Sequence, residues 1–288
     1  MNAKKNDKIA TIILYIIAGL VILLLISIIG YILYKGVPYL SLKFLFGKPS
    51  LNAGGGIGLQ LFNSFYMLII SLVITVPVGI GAGIYLAEYA KEGKVLNSIR
   101  LCIETMASLP SIVVGLFGLL FFVGTLGWGY SIIAGALSIA IINLPSMTTV
   151  TENALRSIPK KIKEASLGLG ATKWQTIKKV ILPSAIPQIL TGIILASGRI
   201  FGEAAALLYT AGMSAPSVKI SDGSAFDLFR PAETLAVYIW KLNSEAIVPD
   251  STKIANASAA VLIIMVILFN TLARIIGKKI HERYTGSR

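Results

Sequence analysis

The feature that most constrains this chain is the length of its apolar blocks. Near 9–34, 59–87, 101–123, 129–150, 185–212 and 254–276 the sequence is almost free of charge. A bilayer core of roughly 30 Å is crossed by about 20 helical residues, and each of these blocks is long enough. In hydrocarbon every backbone N–H and C=O must be paired within the protein, which favours helices for such runs. The expectation is an all-α integral membrane protein with about six transmembrane helices. Composition agrees: 55% of the 288 residues are hydrophobic and 14% are charged, against about 25% charged in a soluble domain.

The formal net charge of +13 suggests a nucleic-acid partner until its distribution is read. Lys4, Lys5 and Lys8, the 88–100 loop, the 151–184 loop and the tail after Arg274 hold most of the basic residues. The intervening segments hold Lys35, Lys43, Lys48, Lys219, Arg230, Lys241 and Lys253. That asymmetry follows the positive-inside rule and puts both termini in the cytoplasm of a multi-pass protein. The basic charge reports topology and anionic lipid, not nucleic acid. Cys102 falls in an expected span, where it reads as packing. The first block follows a lysine-rich start but is too long for a signal peptide, and reads as a retained anchor helix.

The organisation follows. Residues 1–53 are an anchor helix and its outer loop, 54–278 a membrane core with a cytoplasmic loop at 151–184, and 279–288 a tail. The outer loop near 213–252, with Asp222, Asp227, Glu233, Glu245 and Asp250, reads as a surface that meets a partner or is simply solvated. Pro77, Pro110 and Pro145 suggest interrupted spans around a pathway, or ordinary kinks.

The 151–184 loop is the most informative stretch. Ile162, Ala165 and Leu169 share a helical face, Gly170 is a turn, and Thr172 with Gln175 has capping-box spacing. Trp174, Ile177 and Ile181 then form an apolar stripe opposite Lys173, Lys178 and Lys179, before Pro183 and Pro187 open the next helix. A helix lying on the lipid surface would suit the same residues. The run Glu164-Ala165-Ser166, three residues, Gly170, nine residues, then Val180-Ile181-Leu182-Pro183 resembles the E-A-A loop of type I ABC import permeases. The resemblance implies a coupling helix docked on a separate ATPase, with Glu164, Ala165, Gly170, Leu182 and Pro183 as its coupling positions. No G-x-x-x-x-G-K-[ST] run occurs, so ATP and Mg belong to that partner and no cofactor is expected on this chain.

Three further runs, 77–90, 109–119 and 198–212, resemble phosphate permeases of this family. The moderate outer loops are closer to the PstA branch than to its PstC paralogue. The resemblance implies a bacterial cell-membrane subunit working with a PstC-like permease, a PstB-like ATPase dimer and a PstS-like phosphate-binding protein outside. Independently, Arg199 lies inside an expected span, where an arginine costs at least ~2.5–3.5 kcal/mol unless paired or hydrated. Its planar fork suits phosphate oxygens. Glu203, four residues on, lies on the same helical face and can pair with it. Arg199, Glu203 and Glu104 are the candidate pathway residues, and a structural ion pair is the competing reading. Sulfate, molybdate or another oxyanion, and less readily a channel or a scaffold, stay open.

Overall fold

The computed structural model describes residues 2–50, 54–214, 216, 218, 223–245 and 248–285, the side chains at 2, 3, 5 and 280–285 excepted. Lys5, Lys219, Asp222, His281 and most of the 279–288 tail therefore lie outside the described side chains. Among the described residues all regular structure is helical.

Helix α1 spans Asn2–Gly36 and the short α2 spans Leu42–Phe46. Helix α3, Gly58–Ile84, ends in a wide turn at Tyr85–Tyr89. Then come α4, Lys94–Ala107, and α5, Ser111–Gly118, extended by a wide turn to Thr125. Helix α6 is Ile132–Arg156, α7 is Lys160–Gly168, and α8, Lys173–Thr176, runs through Ile177–Ile181 into α9, Leu182–Gly202. Helices α10, Ala205–Thr210, α11, Leu235–Glu245, and α12, Ser251–Thr285, complete the chain. Five helical stretches are long and apolar enough to cross a membrane, and α4 with α5 makes a sixth only as a bent pair. The loops rich in lysine lie at one end of the bundle, the basic end; the start of α3 marks the far end.

Helix α6 is the hub. No residue from Ile132 to Pro145 is exposed, because α3, α5, α9 and α10 all pack around it. Glycine makes the closest of these contacts. A Cβ on Gly79 would lie 2.6 Å from Met147 Cγ, and one on Gly83 would lie 2.5 Å from Thr151 Cβ. In lipid such close approach replaces the hydrophobic drive that would join helices in water. Helix α1, by contrast, packs on α12, and its whole apolar stretch faces outward.

Four sequence expectations need correction. The third span is not a straight helix over 101–123. It breaks at Ser108–Pro110, and α4 meets α5 at 94°. Proline cannot donate to the turn before it, and it pushes its predecessor out of the helical region. Pro77 and Pro145, in contrast, sit in helices that run through unbroken. The fifth span is also discontinuous, for Glu203 adopts φ −72° and ψ 119° between α9 and α10. Third, residues 151–156 belong to α6, so the connecting loop starts later than expected. Fourth, Cys102 is exposed on α4 rather than packed.

The 213–252 segment also departs from a solvated loop. Arg230, Glu233 and Thr234 are buried at 7%, 1% and 3% exposure, and they dock on the first turns of α3. Gln60 Nε2 donates to Glu233 at 2.8 Å, and Arg230 Nη2 donates to Asn63 Oδ1 at 2.8 Å. Lys241 Nζ pairs with Glu233 at 3.1 Å. Burial pushes the Glu233 carboxyl above its ordinary range, against the pull of Gln60 and Lys241.

Candidate functional site

At the basic end, α7 and α8 form a compact helical pair. The capping box is made: Thr172 N donates to Gln175 Oε1 at 2.9 Å, and Gln175 N donates to Thr172 Oγ1 at 3.2 Å. Ser166 and Thr176 join the two helices by a hydroxyl contact of 2.9 Å. Ile177 and Ile181 sink into a cluster with Met147, Ala154, Leu155, Ala185 and Ile189. Trp174 does not join them; it is 55% exposed. The expected stripe of Trp174, Ile177 and Ile181 is therefore only partly buried, at its two isoleucines.

Several large apolar side chains also remain outward, among the lysines of this pair. Ile162, Leu167, Leu169 and Trp174 are all exposed, Leu169 at 90%, and α7 has no buried residue. Glu164 and Ala165 are exposed between them. Glu164 forms no ion pair among the described residues. Gly170 ends α7 with φ +83°, while a Cβ there would meet nothing within 4 Å. Its requirement is therefore backbone conformation, not space. Gly170→Ala is expected to cost about 1–2 kcal/mol, whereas Gly168→Ala, two residues earlier in ordinary helix, is expected to be neutral or slightly stabilising. Thermal melting of the two variants in detergent checks this, and equal melting points would contradict it.

Ion pairs that the sequence reading missed carry this end. Glu88, in the turn after α3, is paired by Lys163 of α7, and its backbone carbonyl accepts from Lys173. Lys173 Nζ also sits 4.5 Å above the Tyr89 ring. Beside this, Glu152 of α6 receives Arg100 of α4 at 2.6 Å and Arg156 at 3.0 Å, and Glu92 completes the cluster at 3.2 Å from Arg156. The only hint in sequence is Glu152 at i, i+4 from Arg156.

The membrane-spanning part shows a second pattern. The unpacked residues of α9 are Ser184, Gln188, Thr191, Leu195 and Arg199, one stripe at helical spacing. On α6 the exposed residues before Arg156 are Ser146, Thr149 and Asn153. The two stripes meet where Ser157 Oγ approaches Gln188 Oε1 at 3.4 Å. Glu104 opens onto the same region, in a cleft lined by Arg100, Ile103, Thr149, Glu152, Asn153 and Arg156. The outward face of α12, with Ile267, Leu268, Leu272, Ile275 and Ile276, is apolar by comparison.

Arg199 and Glu203 do not pair. The helix ends at Gly202, and the Glu203 carboxylate turns to cap α10, accepting from Ala206 N at 3.1 Å. The expectation of a one-turn ion pair fails because it assumed a continuous helix. Arg199 is exposed and makes no ion pair among the described residues.

The runs 109–119 and 198–212, far apart in sequence, are in contact. A Cβ on Gly115 would lie 2.8 Å from Ala206 Cα, and one on Gly118 would lie 2.6 Å from Thr210 Cγ2. Comparison with known proteins gives these runs a context. Residues 79–286 match the family described as the binding-protein-dependent transport system inner membrane component. The chain belongs to this family. It is 51% identical, over the full length of both chains, to the "Probable ABC transporter permease protein YqgI" of Bacillus subtilis. It is 35% identical to the "Phosphate transport system permease protein PstA" of Yersinia pestis, covering 86% of this chain and 82% of that one. A solved bacterial alginate ABC transporter, in complex with an alginate pentasaccharide-bound periplasmic protein, superimposes with a TM-score of 0.68. There the identity is 17%, over 98% of this chain and 97% of that one. The chain is thus a multi-pass, non-catalytic permease with the all-helical fold of a type I ABC importer transmembrane domain.

Proposed function

We propose that the chain is the PstA-type permease subunit of an ATP-driven importer of inorganic phosphate, with both termini in the cytoplasm. The observation that carries the substrate class is Arg199: an arginine with no ion pair among the described residues, on the unpacked stripe of a membrane-spanning helix. Facing lipid it would cost at least ~2.5–3.5 kcal/mol. Facing a hydrated path shared with a second permease, it is a bidentate donor for a passing oxyanion. The similarity to PstA proteins supports phosphate among the oxyanions.

Energy enters at the basic end. The exposed set Ile162, Leu167, Leu169 and Trp174, around Glu164 and Ala165, fits a cleft of a PstB-like ATPase dimer that binds ATP and Mg. Movement of α7 would reach the core by two routes: Gly170, α8 and the start of α9 at Leu182 and Pro183, and Lys163 with Lys173 pulling on the end of α3. A PstC-like permease would complete the pore and a PstS-like protein would deliver phosphate outside.

The test is ATP-dependent uptake by membrane vesicles carrying the whole complex. Phosphate uptake that excess sulfate and molybdate do not suppress is expected. Uptake of those anions in preference would reassign the substrate, and failure of the chain to co-purify with an ATPase would refute the importer reading. Glu164→Lys is expected to leave insertion intact, since Glu164 is exposed and unpaired, yet to separate ATP hydrolysis from uptake. Normal uptake at a normal ATP cost would contradict the coupling role.

A further inference from the structure

Between α9 and α12 near the basic end runs a groove with a volume of about 260 Å³, lined by Pro187, Leu190, Thr191, Ile194, Ala273, Arg274, Gly277 and Lys278. Its walls are almost entirely apolar, and its charged members, Arg274 and Lys278, are both basic. Along α12 the residues from Ala273 to Lys278 approach the basic end, and along α9 those from Ile194 to Pro187 do the same. The apolar floor at Ile194 and Ala273 therefore lies deeper in the membrane, and the basic lip lies toward the surface.

The sequence explains why a groove exists here. Gly277 is buried where the two helices approach, and a Cβ on it would lie 2.9 Å from Leu190 Cδ1. The glycine lets Leu190 close on α12 at that point, and the slot runs alongside this contact. Arg274 is exposed at its rim and makes no ion pair among the described residues. Among the described residues no carboxylate lines the slot.

We propose that this groove binds an anionic phospholipid, with one acyl chain along Leu190, Ile194 and Ala273 and the phosphate at Arg274 and Lys278. A soluble anion has no use for the apolar floor, and a zwitterionic lipid brings a cation to a basic lip. A basic pocket between membrane helices beside a hydrocarbon slot fits an anionic headgroup with its chain attached. This inference is independent of what the permease carries. Its consequence is a lipid wedge between α9 and α12, so anionic lipid stabilises that helix pair.

The experiment compares lipids on the full-length chain purified in a mild detergent, by native mass spectrometry and thermal melting. Phosphatidylglycerol is expected to stay bound and to raise the melting temperature, with phosphatidylcholine of the same chains weaker by about tenfold or more. Inorganic phosphate and glycerol phosphate are expected to do neither. The double variant Arg274→Gln, Lys278→Gln is expected to bring phosphatidylglycerol down to the phosphatidylcholine level. Ala273→Leu, which narrows the slot without changing charge, is expected to weaken both lipids. Equal retention of the two lipids, full retention by the double variant, or a melting shift produced by glycerol phosphate alone would each overturn the proposal.

Discussion

Arg199→Gln is expected to lower phosphate uptake by at least tenfold while leaving the amount of assembled complex unchanged. The two halves of that result follow from different parts of the structure. Assembly should survive because Arg199 makes no ion pair with any described residue of its own chain, so its loss leaves none of their carboxylates uncompensated. Uptake should fall because a neutral amide keeps neither the charge nor the paired donors that match an oxyanion. Arg199→Lys is expected to recover part of the activity, since the charge remains but the planar fork does not. Glu203→Gln separates the residues further. Its carboxylate caps Ala206 N at 3.1 Å, and a glutamine oxygen can still accept that bond, so uptake should stay near wild type. Had the two formed an ion pair, both single changes would damage assembly and the double change would restore it. Wild-type uptake by Arg199→Gln, measured in vesicles with the complex at normal yield, would remove the anion-contact role.

Glu152→Ala is expected to be among the most destabilising single changes at the basic end, by about 2–3 kcal/mol. The Glu152 side chain is 8% exposed and holds two arginines whose side chains are 30% and 38% exposed. Removing one buried partner commonly costs about 3–5 kcal/mol, and the partial exposure of both guanidinium groups reduces it. The consequence is local. Helix α4 has a single buried residue, Leu96, and Arg100 is its ionic tie to α6. Loss of Glu152 should therefore release α4 before the rest of the bundle. Limited proteolysis is expected to cut within 94–108 faster in the variant, with a lower melting temperature. Replacing Arg100 and Arg156 by Gln as well should recover part of the loss, because no unpaired charge is then left. An unchanged cleavage pattern in Glu152→Ala would mean that packing alone holds α4.

The charge at α4 shows where sequence reasoning stops. A run of apolar residues over 101–123 reads as one helix, and Pro110 signals a break without saying how large. The 94° bend depends on what each half packs against: α5 on α6 and α10, α4 on the end of α6. The same limit explains the Arg199 and Glu203 result. Spacing of four residues means proximity only if the helix continues, and here the chain leaves helical geometry at Glu203. Local chemistry fared better. The Thr172–Gln175 capping box and the turn at Gly170 involve neighbours in sequence, and both occur where their residues lie. Pro183, expected to open the next membrane helix, instead lies inside a helix that is continuous over Lys173–Gly202.

The sequence by itself determined that this chain is a helical membrane protein, because long apolar runs admit few other ways to satisfy backbone hydrogen bonds in lipid. It also determined the capped turn at the basic end, whose chemistry spans a few residues. Tertiary structure alone decided which polar residues remain unpacked, since exposure on α6 and α9 depends on which neighbouring helices cover them. It alone brought Arg100 to Glu152 and Lys163 to Glu88, pairings between residues 52 and 75 positions apart. The reason is common to all of these. Helical periodicity is written in spacings of three and four residues, whereas the partner across a helix interface is set by how whole helices bend, approach and end.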